Sequence, residues 1–390
     1  MQVSRLKLIN LMLYIIILIN IIQEIVYSIN SKFSFIFYIT DVLLCLIIII
    51  SLHAQTDKKT DNIQVTCWLV FLAYSMFTII WNDRNLYDTA FRLRYFLQGI
   101  TILIIVQRFL LNFYFKKLIK FMCFAQVINL ILSIYQNRVM GLFPDFCNGL
   151  FGFVGYGSGT VGLYSLALSI LATVYYLSRD WKLYQSLFII CISAAFCAFA
   201  EVKIYYVLFI LSVFLILLLN ARPGKEFTKI ILIIVAVFLA FYLAYSILEV
   251  VLPNNLDALF SINDYIQYDS RSDYAGRLNT IPFILNNQFF NNHLLAMFGS
   301  GLGTSSHMYI YELGKTFSET GFLGLGLLVA AIIEPFFKWL FEKEKTPEKL
   351  FVAVFSVNLL ISIIVWNIPF VRVAVIFTFF FIGLRNVKWD

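Results

Sequence analysis

Ten basic residues, Arg84, Arg92, Arg94, Arg138, Arg271, Arg277, Arg372, Lys32, Lys203 and Lys315, fall in alternate connections between long apolar runs, seven arginines to three lysines. In the intervening connections the balance reverses to four arginines and fourteen lysines. Lys and Arg serve membrane topology about equally well. Only Arg offers a planar fork that meets phosphate or carboxylate bidentately and stays charged when partly desolvated. The asymmetry therefore marks one face as built to hold anions, although arginines that merely snorkel to lipid headgroups give the same pattern. On that face His307 and Glu319 have the right types to move a proton. A histidine is neutral and basic near neutral pH, yet a lone histidine in a wet loop is more often an ordinary polar residue. Glu319 opens a predicted helix, where the dipole also favours a carboxylate as a plain cap. Glu24 and Asp41 sit in the outer parts of early apolar runs, where carboxylates are functional candidates by default or ion-pair partners for an outer arginine.

Metal chemistry is not expected. His53, His293 and His307 are scattered, and no Cys/His/carboxylate group has zinc-like spacing. Cys45, Cys67, Cys123, Cys191 and Cys197 lie in apolar runs and only Cys147 in a connection, so no disulfide framework is available.

The elements that must position these groups are membrane spans. Of 390 residues, 61% are hydrophobic and 13% charged, against roughly 45–50% and about 25% in soluble domains. A soluble globular domain is excluded, and the net charge of +7 reflects inner lysines, with no bearing on nucleic acid. Apolar runs predict twelve spans, at 8–28, 33–52, 64–81, 95–115, 118–136, 153–177, 185–200, 204–220, 230–251, 318–338, 350–366 and 370–385. The first reads as a retained helix, since no small-residue cleavage site follows it. The lysine-rich connections put both termini in the cytoplasm. Residues 252–317 form one long outer loop, a length that usually carries function. Within it, Leu278–Phe290 suits a helix lying at the membrane surface over an outward-opening cavity. The glycine-rich run Gly149–Gly162 precedes a span and follows no strand, so it is read as close helix packing through Gly155, Gly159 and their neighbours, not as a nucleotide loop. Tyr265, Tyr268, Tyr274, Phe289, Phe290, Tyr309 and Tyr311 suit stacking on sugars and an interfacial aromatic belt equally.

The stretch from Ser270 to Gly326 carries a resemblance. Gly276 and Arg277 open the surface helix, Gly299, Gly301 and Gly303 make a turn, His307 follows, and Glu319, Gly321 and Gly324 enter an apolar span. This order resembles the outer loop of the bacterial O-antigen polymerase and O-antigen ligase family. Arg138 followed by Gly149 in the preceding outer loop is similar to a polymerase pattern, and Glu201 and Lys203 lie where relatives often carry a basic residue. His307 is followed by Met308 and precedes Gly321 by fourteen positions, a wider spacing than ligases of the family keep.

The resemblance implies an all-α polytopic membrane fold of about twelve helices with one long outer loop, similar to GT-C-like glycosyltransferases. It implies a polymerase at the outer face of a bacterial cytoplasmic membrane. Donor and acceptor would be oligosaccharides carried on undecaprenyl diphosphate, with no cofactor, and a chain-length regulator would be a partner. Arg277, His307 and Glu319 would be catalytic. Arg138, Arg271, Arg84, Arg372 and Lys203 would bind the diphosphate and stabilise its departing charge. A ligase of the same family is the nearest alternative. A lipid-linked oligosaccharide flippase is another, but a transporter should present its charges within the helix bundle and not at one outer level.

Overall fold

The computed structural model describes residues 2–54, 56, 58, 60–81, 86–153, 157–219, 235, 279–305, 310–365, 370, 372–387 and 389. Regular structure among them is helical throughout. The helices are α1 (Gln2–Ile29), α2 (Ile36–Ser51), α3 (Asn62–Phe77), α4 (Leu86–Phe109), α5 (Asn112–Arg138), α6 (Ser158–Leu177), α7 (Leu183–Phe199) and α8 (Ile204–Leu219). They continue with two short helices, α9 (Thr280–Asn287) and α10 (His293–Phe298), then α11 (Glu312–Phe341), α12 (Pro347–Val365) and α13 (Arg372–Gly383). Eight helical stretches among the described residues are long and apolar enough to cross a bilayer. With them, α7 and α8 are shorter apolar helices. The chain is a multi-pass α-helical membrane protein.

A helix stands at every expected span except the ninth, 230–251, of which only residue 235 is among the described residues. Several starts move: α1 begins at Gln2, ahead of 8, and α5 at Asn112, ahead of 118, and two further shifts lie at the end opposite the N-terminus. The fourth helix begins at Leu86, ahead of the expected 95, and the tenth span begins at Glu312, ahead of 318. Both extensions are polar sequence made helical because their charges are buried against each other, as described below. The surface helix expected over 278–290 is α9, and it buries Thr280 and Ile284 against α11.

The interior is apolar and aromatic. α6 is buried from Thr160 to Tyr175 and α13 from Val373 to Gly383, so these two helices are the centre around which the others pack. Trp68 of α3 meets the rings of Phe370 and Phe379 at 5.8 and 4.6 Å between centroids, edge-on arrangements that aromatic quadrupoles favour. α2 turns Val42, Leu46, Ile48 and Ile49 outward, the inside-out pattern of a lipid-facing helix.

Buried polar side chains fasten the connections. Asn10 of α1 donates to Phe109 O at 2.9 Å and accepts from Leu111 N at 2.9 Å, satisfying backbone groups freed at the break between α4 and α5. Gln126, Asn129, Ser133 and Gln136 lie on one face of α5. From that face Ser133 donates to Cys147 O at 2.7 Å, Gln136 exchanges two hydrogen bonds with Gly149, and Asn129 accepts from Leu150 N at 2.9 Å. The α5–α6 connection thus folds back onto α5.

The bundle has two distinct ends. At the end carrying the first residues, Arg5 donates to His53 O, Asp61 pairs with Lys338 and Arg385, and Trp389 stacks on Tyr175. At the opposite end lie Glu24, Asp41, Arg92, Arg94, Arg138, Lys203, Glu312, Glu319 and Arg372. These two sets match the alternation of connections read from the sequence.

Candidate functional site

The end opposite the N-terminus is organised around Arg92. Because α4 starts at Leu86, Arg92 sits in its second turn, facing α11. Its Nε donates to Glu319 Oε2 at 3.0 Å, NH1 donates to Glu312 Oε2 at 3.3 Å, and NH2 pairs with Glu312 Oε1. Glu312 and Glu319 are buried. Two carboxylates in such a place require a cation, and the guanidinium fork supplies several donors at once. Glu319 Oε1 also accepts from Ser305 Oγ at 2.6 Å.

The glycine turn that follows α10 is locked into the same cluster. Ser300 N donates to Ser318 O at 2.8 Å and Gly301 N to Glu319 O at 2.9 Å. These carbonyls are available because α11 breaks at Gly321, whose φ of 64° interrupts the helical ladder. A Cβ on Gly299 would lie 2.3 Å from Glu319 O, and one on Gly321 would lie 2.4 Å from Met297 backbone atoms. Both positions also have positive φ, which glycine alone adopts freely. On its other side the turn reaches α4 and the end of α3. There Thr89 Oγ1 donates to Leu302 O at 2.8 Å, and Leu302 N donates to Thr78 Oγ1 at 3.2 Å.

Two further arginines converge on Phe37 at the start of α2. Arg94 NH2 donates to Phe37 O at 2.7 Å while its Nε donates to Asp41 Oδ2 at 2.9 Å. Gln98 Nε2 holds the other oxygen of Asp41. Arg372, the first residue of α13, lies over the ring of Phe37 at 3.9 Å and pairs with Glu24 at 3.4 Å. The side chains of Arg94 and Arg372 are 20% and 41% exposed, so neither is fully buried. The two early carboxylates, Asp41 and Glu24, are thus partners of outer arginines.

The expected site residues separate as follows. Glu319 is in the Arg92 cluster and Arg372 is at Phe37. Arg138 is exposed at the C-terminal end of α5. Gly149, its partner in the spacing motif, serves backbone packing: a Cβ there would lie 2.8 Å from Asn129 O. Lys203 pairs with Glu201 at 3.4 Å. Arg84, Arg271, Arg277 and His307 lie outside the described residues, as does Gly155. Among the described residues no group of three or more His, Cys, Asp or Glu is arranged to hold a metal ion.

In the sequence Arg92 and Arg94 precede the apolar run of span four and read as loop, so nothing local marks them as site residues. The signal available was two arginines beside an apolar run, which must find partners if helix extends over them. No family model, no curated protein and no solved structure matches the chain.

Proposed function

We propose that the protein is a polymerase of lipid-linked oligosaccharides, acting at the outer face of a bacterial cytoplasmic membrane. One observation carries this reading. Arg94 and Arg372, from different helices, are brought to a single residue, Phe37, and each is oriented by a carboxylate without being fully buried. Arginines preset in this way favour a group that gains negative charge as a bond breaks. A polyprenyl diphosphate at headgroup level is such a leaving group. In this reading the anomeric carbon of one chain is attacked by a sugar hydroxyl of another. The glycosidic bond forms, the bond to the diphosphate breaks, the hydroxyl proton passes to a base, and polyprenyl diphosphate leaves.

The resemblance in the glycine turn, Glu319 and Gly321 supports the same class. Arg277 and His307 enter this reading on the sequence alone, and Arg138 by its place at the same end of the bundle. The paired placement of Arg92, Arg94 and Arg372 at one end argues for transfer at one face over passage of substrate through the bundle.

The test is reconstitution of the purified full chain in lipid with an undecaprenyl-diphosphate-linked repeat unit from the same gene cluster, in the presence of EDTA. A ladder of lengthened products with release of undecaprenyl diphosphate is the expected result. A folded protein giving no ladder from an intact donor overturns the polymerase reading. Transfer to an added lipid A core would then indicate a ligase, and scrambling of the donor between leaflets a flippase.

A further inference from the structure

The end of the bundle that carries the N-terminus holds a carboxylate with no hydrogen-bond partner among the described residues. Glu334 lies on α11 one turn before Lys338, and both of its carboxylate oxygens are sealed from solvent with no hydrogen bond. Its neighbours are charged. Asp61 and Cys67 face it from α3, Lys338 and Glu342 from its own helix, and Arg385 from the segment after α13. At the start of α12, Lys349 is held by Glu342 at 2.8 Å and Glu348 accepts from Trp389 N at 3.1 Å. The cations are thus distributed among the other acids. Asp61 holds two of them, Lys338 at 2.5 Å and Arg385 Nε at 3.1 Å, while Glu334 holds none. A cavity of about 400 Å³, lined by Thr60, Asp61, Lys338, Glu342 and Arg385 among others, opens beside this pair.

We propose that Glu334 is a proton-binding site whose ionisation transfers Lys338 from Asp61 to Glu334. A sealed, unpaired carboxylate is costly when ionised, so this arrangement belongs to the protonated acid. When the O–H bond breaks, the proton passes to bulk solvent and the carboxylate left behind needs a cation. Lys338 is at the i+4 position, the reach of helical ion pairs. Its departure leaves Asp61 still paired with Arg385, so the exchange strands no charge. What it releases is the direct ion pair between α3 and α11. The N-terminal end of the bundle then has two arrangements selected by proton occupancy, whatever the reaction at the far end.

The experiment is infrared titration of the full chain in lipid, comparing wild type with Glu334→Gln. The carbonyl band of a protonated acid should be present in wild type, absent in the variant, and lost as pH rises. Carboxylate bands assigned to Asp61 by subtraction of Asp61→Asn should shift at the same midpoint, and should stay fixed in Glu334→Gln. Lys338→Met should move the Glu334 midpoint upward by about one to three pH units. Absence of any Glu334-dependent band overturns the proposal. So does a Glu334 band that titrates while the Asp61 bands do not move. Lys338→Met, which leaves Asp61 its Arg385 partner, keeps the test available if Asp61→Asn does not fold.

Discussion

Arg92 and Glu319 are 227 positions apart in sequence, yet Arg92 Nε donates to Glu319 Oε2 at 3.0 Å. The same guanidinium holds Glu312, so one side chain of α4 hydrogen-bonds two buried acids of α11. Removing one partner of a buried ion pair leaves an uncompensated charge, which costs about 3–5 kcal/mol.

Arg92→Met should therefore destabilise by that amount, because two carboxylates lose their cation together. Glu312→Gln should cost less, since Arg92 keeps Glu319. Arg92→Lys should fall short of restoring wild type, as an ammonium cannot present the same fork. Thermal unfolding of the purified protein in detergent orders the three variants. A wild-type midpoint for Arg92→Met would show that the cluster contributes nothing to stability.

How much of this was legible in the sequence depends on the range of the interaction. Apolar runs reveal helices because their length and composition are local properties, and the runs at 64–81 and 350–366 correspond closely to α3 and α12. Helix ends at the far face are not a local property. Whether Leu86–Arg94 and Glu312–Phe317 are helical depends on charges that neutralise each other across more than two hundred residues. No local pattern around Arg92 reports Glu312. The glycine turn was visible as Gly299, Gly301 and Gly303, but its purpose, to lay backbone against the break at Gly321, is a tertiary fact. Glu24 and Asp41 were recognisable as needing a partner, and only the structure assigns Arg372 to one and Arg94 to the other.

Packing between α4 and α13 gives a second prediction. A Cβ added to Gly99 would fall 2.3 Å from the ring of Phe379, which itself packs edge-on against Trp68 at 4.6 Å between centroids. That ring cannot move freely, so Gly99→Ala should be destabilising by about 1–3 kcal/mol, the usual cost of overpacking. Gly326→Ala on α11 is the control: nothing lies within 4 Å of its Cβ. It should be neutral or stabilising by up to about 1 kcal/mol, as helix propensity predicts. Equal unfolding midpoints for the two variants would contradict the close α4–α13 contact.

Cys147 offers a chemical probe of the α5–α6 connection. Its side chain is buried, with Sγ 3.3 Å from Phe143 O, and burial pushes the thiol up to about 11. The thiolate is the reactive form, so a raised value means little of it at neutral pH. Alkylation of Cys147 in the folded protein should be slow at pH 8 and should quicken steeply as pH rises toward that value. Unfolding should abolish the protection. Peptide mapping after iodoacetamide treatment reads this directly, and rapid labelling of Cys147 at pH 8 would mean that the loop does not fold back on α5.

The arginines at Phe37 give the last prediction, which depends on the polymerase reading. Arg372 stacks on an aromatic ring and makes one weak contact to Glu24, so its loss should perturb the fold little. This partly buried pair, 41% and 23% exposed, contributes on the order of 1 kcal/mol. If the guanidinium meets a diphosphate, Arg372→Gln should reduce kcat/KM for the lipid-linked donor by at least tenfold, about 1.4 kcal/mol of transition-state stabilisation. Arg94→Gln should do the same and also cost stability, because Asp41 then loses its cation. Arg372→Lys should recover only part of the activity, since a point charge replaces a planar fork. The ladder assay with purified variants of confirmed fold measures all three. Full activity in Arg372→Gln and Arg94→Gln together would remove Phe37 and its neighbours from the reacting site and leave the arginines of the long outer loop to hold the leaving group.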